Sequence, residues 1–173
     1  ILIKQLQGEK IETIIFLHKK GKLYEILKSN KIKFYFYPIK NYFGTSKSKV
    51  LNLIYLFLLI PFLMRLILKH KIHIIHSNDM KIHLNWIIPT LLLKKKFIWH
   101  QRTTLPDSRV VRGLIKLASK IISISNFVKN SIPMSLENKI KVIYNPIENS
   151  NKSKIKKVKF FNKNKQILIG SFS

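Results

Sequence analysis

The chain has 173 residues, which is long enough for one well-packed α/β core and too short for two complete α/β domains. Apolar residues make up 46%, which excludes a disordered protein, and the absence of cysteine excludes disulfides, thiolate chemistry and cysteine-bound zinc. The net charge of +26 comes from 29 lysines, 4 arginines and 7 acidic residues. Either this charge is lysine-rich composition on solvated surfaces or it attracts an anionic partner. Scarce arginine makes nucleic acid the least favoured partner.

Short apolar runs alternate with helix-like segments along the chain. Strands are predicted at 11–17, 32–37, 72–76, 97–99, 121–124 and 141–144, and helices around 23–27, 84–93, 114–118 and 126–132. This alternation is typical of βαβ units, so we predict an α/β fold, a Rossmann-like parallel sheet with helices on both faces. The domain covers 1–150, followed by a linker rich in lysine and asparagine at 151–165. The first strand of a second domain is predicted at 166–173.

The apolar segment 51–68 leaves three alternatives open. Its eighteen residues are close to the roughly 20 that a membrane span needs, but Asn52, Pro61 and Arg65 interrupt it. The second alternative is a surface helix that dips into a lipid interface. The third is a packed helix that is kinked at Pro61.

Four of the strands end at polar residues that are able to take part in chemistry. The third predicted strand runs into Asp79, the fourth into His100 and Arg102, the fifth into Ser125 and Asn126, and the last reaches position 145. Ligands of open α/β sheets bind beyond the carboxyl ends of the strands. The four ends therefore predict one rim of a binding crevice.

These four segments also carry a family resemblance. They are Ile-His-Ser-Asn-Asp at 75–79, Ile-Trp-His-Gln-Arg at 98–102, Ala-Ser-Lys-Ile-Ile-Ser-Ile-Ser-Asn-Phe-Val at 118–128 and Lys-Ile-Lys-Val-Ile-Tyr-Asn-Pro-Ile-Glu at 139–148. In order and spacing they resemble the N-terminal domain of retaining glycosyltransferases of family 4, which have the GT-B fold. The resemblance implies an enzyme that transfers a sugar from a nucleotide-sugar donor to a cell-envelope glycan or glycolipid acceptor. In that family the N-terminal domain binds mostly the acceptor.

The resemblance implies a catalytic role for His100, where the family has a histidine that faces the transferred sugar. An imidazole donates to a sugar hydroxyl or stabilises developing charge; otherwise it bonds only the next loop. Arg102 either pairs with a phosphate or carboxylate or is a solvated charge. Asp79 either accepts from an acceptor hydroxyl or caps the following helix. Ser125 and Asn126 are candidates for both helix capping and substrate binding.

Gly170 and Ser171 stand where the family has Gly-Arg, so the resemblance implies that they contact the donor. The family's glycine-rich loop would precede Ile1, and its paired glutamates would follow Ser173. We therefore expect the chain to be incomplete and inactive alone. No metal or other cofactor is expected, and no convincing metal-binding set of histidines is present.

The alternative function is a non-catalytic basic module that binds an anionic membrane or nucleic acid. Such a module has no reason to place His100, Asp79 and Ser125 at strand ends. For either function we expect a cytoplasmic location, with peripheral attachment to the inner face of the cytoplasmic membrane as its more specific form.

Overall fold

A computed structural model describes residues 12–43 and 45–145. The predicted linker at 151–165, the predicted strand at 166–173 and the donor contacts Gly170 and Ser171 lie outside the described residues. The structural elements, in chain order, are β1 Phe16–Leu17, α1 Lys22–Ser29, β2 Tyr35–Phe36, α2 Lys49–Lys69, β3 Ile74–Ser77, α3 Met80–Leu92, β4 Lys96–Gln101, α4 Arg109–Lys116, β5 Lys120–Ser123, α5 Asn126–Asn130, a 3-10 helix Met134–Lys139 and β6 Ile140–Val142.

All described strand pairs are parallel. β1 pairs with β2, and a four-stranded sheet has the order β3-β4-β5-β6. A helix connects each strand to its parallel neighbour, as parallel pairing requires, except that the 3-10 helix adds a second element before β6. The predicted parallel α/β fold is confirmed.

The core lies against one face of the four-stranded sheet. Phe97, Trp99 and Ile121 project from that face and are fully buried, together with Leu63 and Ile67 of α2 and side chains of α3 and α4. Along β4 burial alternates, so Phe97, Trp99 and Gln101 are buried while Ile98 and His100 are intermediate. Because side chains alternate between the faces of a strand, His100 projects from the face opposite to this core.

Four of the five α-helices in the described part of the chain begin with a side-chain cap. Ser48, Asp79, Ser108 and Ser125 each accept a hydrogen bond from a backbone N–H in the first turn. These caps satisfy donors that have no partner within the helix. The predicted capping roles of Asp79 and Ser125 are therefore confirmed.

Three of the described helices are followed, two residues after their last residue, by a lysine with left-handed backbone. Lys31, Lys71 and Lys94 follow α1, α2 and α3 with φ of 53°, 50° and 53°. In each case the next residue donates its N–H to a carbonyl five residues back, as in Ile72 to Ile67. Glycine normally occupies this position, because a Cβ atom makes the left-handed conformation unfavourable.

Helix α2 is continuous through Pro61. By length and composition alone, residues 50–69 form a helix that is able to cross a membrane. Its inward side chains Leu63, Leu66 and Ile67 nevertheless belong to the core of the domain.

Candidate functional site

Two histidines meet at the carboxyl ends of neighbouring strands. His76 lies opposite Ile98 in the β3–β4 register, and His100 follows two residues later on the same face. Their rings stack with centroids 5.3 Å apart, and His76 Nε2 lies 3.2 Å from His100 Nδ1. This histidine pair is the centre of the candidate site.

The contact between the two rings restricts their tautomers, because one nitrogen must donate and the other must accept. If His76 Nε2–H donates, His100 carries its own proton on Nε2. His100 Nε2 is buried, and within residues 12–43 and 45–145 it has no hydrogen-bond partner. A buried polar atom without a partner costs about 1–3 kcal/mol, so a ligand that bonds to it would gain this energy.

The surroundings of both rings favour their neutral form. Burial is the main cause that lowers the pKa of His100, and the neighbouring His76 and Arg102 lower it further. Burial also lowers the pKa of His76, although the residue as a whole keeps an exposed surface. A neutral imidazole with one N–H is suited to hydrogen bonding with sugar hydroxyls or phosphate oxygens.

A third histidine supports the end of β4 from the core side. His83 of α3 is 1% exposed, stacks on Trp99 with centroids 4.2 Å apart, and its Nδ1 lies 2.6 Å from Ser77 Oγ. Burial lowers the pKa of His83 to about 3, and a hydrogen bond to the backbone of His100 offsets this only in part. His83 is therefore a neutral structural residue that links the ends of β3 and β4.

Arg102 is exposed beside this pair. It is close enough to lower the pKa of His100, and among the described residues no carboxylate lies within 4.0 Å of it. The residue between them, Gln101, is buried, where it accepts from Trp99 Nε1 at 2.6 Å and donates to the carbonyl of Thr103 at 2.8 Å. Gln101 thus anchors the chain on both sides of the exposed Arg102.

Asp79 takes a structural role at the same edge of the sheet. One of its carboxylate oxygens accepts from Lys81 N at 3.0 Å as the cap of α3. The carboxylate also lies near Tyr42, whose pKa is raised to about 12, mainly by burial and secondly by Asp79. No hydrogen bond within the described segments joins Asp79 to His100, so the structure does not bring these two predicted site residues into contact.

Ser125 and Asn126 lie where β5 leads into α5. Ser125 Oγ accepts from Val128 N at 3.2 Å, and Asn126 Nδ2 donates to Tyr144 Oη at 3.3 Å. The Asn126 contact connects α5 to the segment that follows β6. Both side chains are therefore engaged within the domain, and their predicted role in substrate binding stays a prediction.

Sequence reasoning did not identify two features of this edge. It assigned no role to His76, although the position of this residue at the end of a predicted strand was a usable signal. It also did not single out His18, which follows β1. Trp86 Nε1 donates to His18 Nε2 at 3.2 Å, so His18 donates from Nδ1 to the carbonyl of Tyr37 at 2.8 Å. Both nitrogens are satisfied, which makes His18 structural.

Within residues 12–43 and 45–145, no three or more histidine, aspartate or glutamate side chains are grouped closely enough to hold a metal ion. The chemistry available at the described edge is therefore hydrogen bonding and charge from the histidine pair and Arg102.

Comparison with known proteins places this arrangement in a family. The profile of Glycosyltransferase Family 4 matches residues 2–151. MurG from Acinetobacter baumannii is structurally similar with a TM-score of 0.59 and 18% identity over 86% of this chain and 41% of that one. HepE (Alr3699) from Anabaena, solved with UDP and glucose, has a TM-score of 0.60 and 18% identity over 84% and 40%. A glycosyltransferase from Rickettsia africae has a TM-score of 0.57 and 20% identity over 83% and 37%. No curated protein matches the sequence.

The structural similarities, all at low sequence identity, concern the fold. The chain spans about 40% of the length of these solved proteins and corresponds to the N-terminal domain of the GT-B fold. The family profile covers 150 of the 173 residues, including all four strand-end segments. The chain therefore belongs to glycosyltransferase family 4.

Proposed function

We propose that this chain is the acceptor-side domain of an enzyme that transfers a sugar from a nucleotide-sugar donor to a cell-envelope glycan or glycolipid. The observation that carries the proposal is the buried Nε2 of His100 at the carboxyl edge of the sheet, which has no hydrogen-bond partner among the described residues. In α/β proteins this edge is where ligands bind. Membership of glycosyltransferase family 4 supports sugar transfer as the reaction.

In the proposed reaction the anomeric carbon exchanges its bond to the diphosphate oxygen for a bond to an acceptor hydroxyl oxygen. The hydroxyl proton leaves with the departing diphosphate, and the anomeric configuration is retained. His76 donates to His100 Nδ1 and so directs the His100 Nε2–H toward an oxygen of the transferred sugar. A preorganised donor of this kind typically contributes 10²- to 10³-fold to kcat, as an order of magnitude.

Arg102 is proposed to contact an anionic group of the bound substrates. Its guanidinium is exposed beside His100 and suits bidentate contact with a phosphate. Asp79 and Asn126 are proposed to line the acceptor side of the crevice, although one Asp79 oxygen is already used in capping α3.

The donor is proposed to be a nucleotide sugar of the UDP class. HepE has been solved with UDP, with UDP and glucose, and with UDP-glucose. The donor would be held mostly by a second domain, to which Gly170 and Ser171 would belong. We propose that no metal is needed, so activity should survive chelation by EDTA.

The proposed location is the cytoplasm, at the inner face of the cytoplasmic membrane. The anionic lipids of that leaflet would attract a chain with a net charge of +26. A glycolipid acceptor would be available at the same surface.

The test is made on the complete protein that contains this chain. It is incubated with a panel of nucleotide sugars and a membrane-lipid extract, and release of free nucleoside diphosphate is followed. His100→Ala is compared with His73→Ala, because His73 is exposed and precedes the same strand β3 whose end carries His76. We expect His100→Ala to lower kcat by about 10²-fold or more, and His73→Ala to behave like the unmodified protein.

Two outcomes would contradict the proposal. Equal release by His100→Ala and the unmodified protein would remove His100 from the reaction. No release with any donor, combined with tight binding to anionic vesicles or nucleic acid, would favour the non-catalytic basic module.

A further inference from the structure

Helix α2 presents a large apolar face to solvent over its first half. Phe57 is 79% exposed, Val50 66%, Leu58 65% and Leu53 60%. At helical spacing these positions share one side with Leu51, Ile54, Phe62 and Leu68, all of which are also exposed. This set is called the outer face of α2. Large apolar patches on a domain surface mark sites of interaction, and a helix that is apolar all round is normally covered on every side.

The inner face of α2 fixes the helix to the domain. Leu63 and Ile67 are fully buried and Leu66 is 4% exposed, all within the core cluster. The part that projects before this anchor, residues 50–58, is about 13 Å long at 1.5 Å per residue. A span needs about 30 Å of apolar helix, so α2 is too short to cross a bilayer without leaving the core.

The sequence that flanks α2 is basic. From Ile26 to Asn78 the sequence contains eight lysines and one arginine and no acidic residue. Lys40 and Lys47 are exposed in the segment before α2, and Lys69 and Lys71 are exposed at its C-terminal end. Arg65 is exposed on the same side as the apolar residues, between Phe62 and Leu68. Asn52 accepts from Ser46 N at 3.0 Å and donates to Ser46 O at 2.8 Å, which holds the loop carrying Lys47 against the start of the helix.

We propose that the outer face of α2 inserts into the surface of an anionic lipid bilayer, with the helix lying in the interface rather than across it. An apolar face with lysine and arginine around it combines burial of side chains in the acyl boundary with attraction to anionic headgroups. Pairing with a second copy would bring together two chains of charge +26, which repel each other. Nucleic acid would match the charge but leave the apolar face uncovered. The proposal does not depend on sugar transfer.

The experiment measures binding of the complete protein to sedimented vesicles in the absence of any sugar donor. Vesicles of phosphatidylcholine with about 30% phosphatidylglycerol are compared with pure phosphatidylcholine. Phe57→Ser combined with Leu58→Ser removes two outer-face side chains. We expect this pair to weaken binding to the anionic vesicles at least about tenfold. Binding should also weaken with added salt and on pure phosphatidylcholine.

The matched control removes apolar side chains that are equally exposed elsewhere. Phe127 is 75% and Met134 is 86% exposed, and their replacement by serine should change vesicle binding by less than about twofold. Val50→Ser with Leu53→Ser is a second outer-face pair, used if the first pair alters the melting temperature.

Three results would overturn the proposal. The first is equal loss of binding in the outer-face and control variants. The second is a dimer in lipid-free solution that the outer-face variants dissociate, which would assign the face to a second copy. The third is resistance of the bound protein to extraction with alkaline carbonate, which would indicate a spanning helix.

Discussion

The buried His83 makes the stability of this domain depend on pH. Its pKa is about 3 in the folded chain, against an ordinary value of 6.5. Below pH 6.5 the unfolded chain binds a proton at this position that the folded chain does not bind. Stability is therefore complete above about pH 7 and is lost as the pH falls, by about 1.4 kcal/mol per pH unit. Between pH 7.5 and pH 5 the loss from His83 alone is about 2 kcal/mol.

The variant that tests this is His83→Gln. Glutamine is able to keep a hydrogen bond to Ser77 and does not bind a proton in this pH range. The variant loses the stacking on Trp99, so its free energy of unfolding at pH 7.5 is expected to be lower. The difference in its stability between pH 7.5 and pH 5 should nevertheless shrink by about 2 kcal/mol. The measurement is urea unfolding across this pH range, followed by the fluorescence of Trp86 and Trp99, both of which are buried.

Other histidines add to this dependence of stability on pH. His18, His76 and His100 also have lowered pKa values and contribute in the same direction, so the variant will keep part of the dependence. His73→Gln is the control, because His73 is exposed. If His83→Gln and the unmodified chain show the same loss of stability between pH 7.5 and pH 5, then His83 is not held neutral and the reasoning is refuted.

The other predictions concern local stability and are checked by urea unfolding. Lys94→Gly should stabilise the chain by about 0.5–1 kcal/mol because it relieves the left-handed backbone after α3, whereas Lys94→Ala should give no such gain. Ser125→Ala should cost about 1 kcal/mol through loss of the cap of α5, and Ser125→Asp should preserve stability. Leu63→Ala should cost about 2–5 kcal/mol, while Leu58→Ala on the same helix should change stability by less than about 0.5 kcal/mol. Equal costs for the two leucines would mean that the outer face of α2 is packed.

Features that depend on residues close together along the chain could be predicted from the sequence. The parallel α/β order and the caps at Asp79 and Ser125 follow from apolar runs and from the residue types at their ends. The extents of β1 and β2 could not be predicted. The sequence predicts strands at 11–17 and 32–37, but only Phe16–Leu17 and Tyr35–Phe36 pair. Local sequence shows a strand-forming preference but not where a partner strand lies.

The histidine pair required information that the sequence does not contain. His76 and His100 are 24 residues apart, and their contact depends on the register in which Ile98 lies opposite His76. A shift of one residue would turn one ring to the opposite face. Likewise, the apolar pattern of α2 left a span, an interfacial helix and a packed helix open, because burial of Leu63 and exposure of Phe57 are set by tertiary packing.

The two proposed surfaces lie near the same edge of the domain. Tyr42 lies close to Asp79 at the carboxyl edge of the sheet, and Phe43 N donates to Asn85 of α3 at 2.9 Å. The loop that contains these residues leads directly into α2, so the projecting half of the helix begins at the edge that carries the histidine pair. A bilayer that contacts Phe57 would then present its headgroups beside the crevice. This geometry favours an acceptor that is anchored in the membrane, because such an acceptor would reach His100 by diffusion in the plane of the bilayer. A soluble glycan that is used as efficiently as its lipid-linked form by the complete protein would argue against this arrangement.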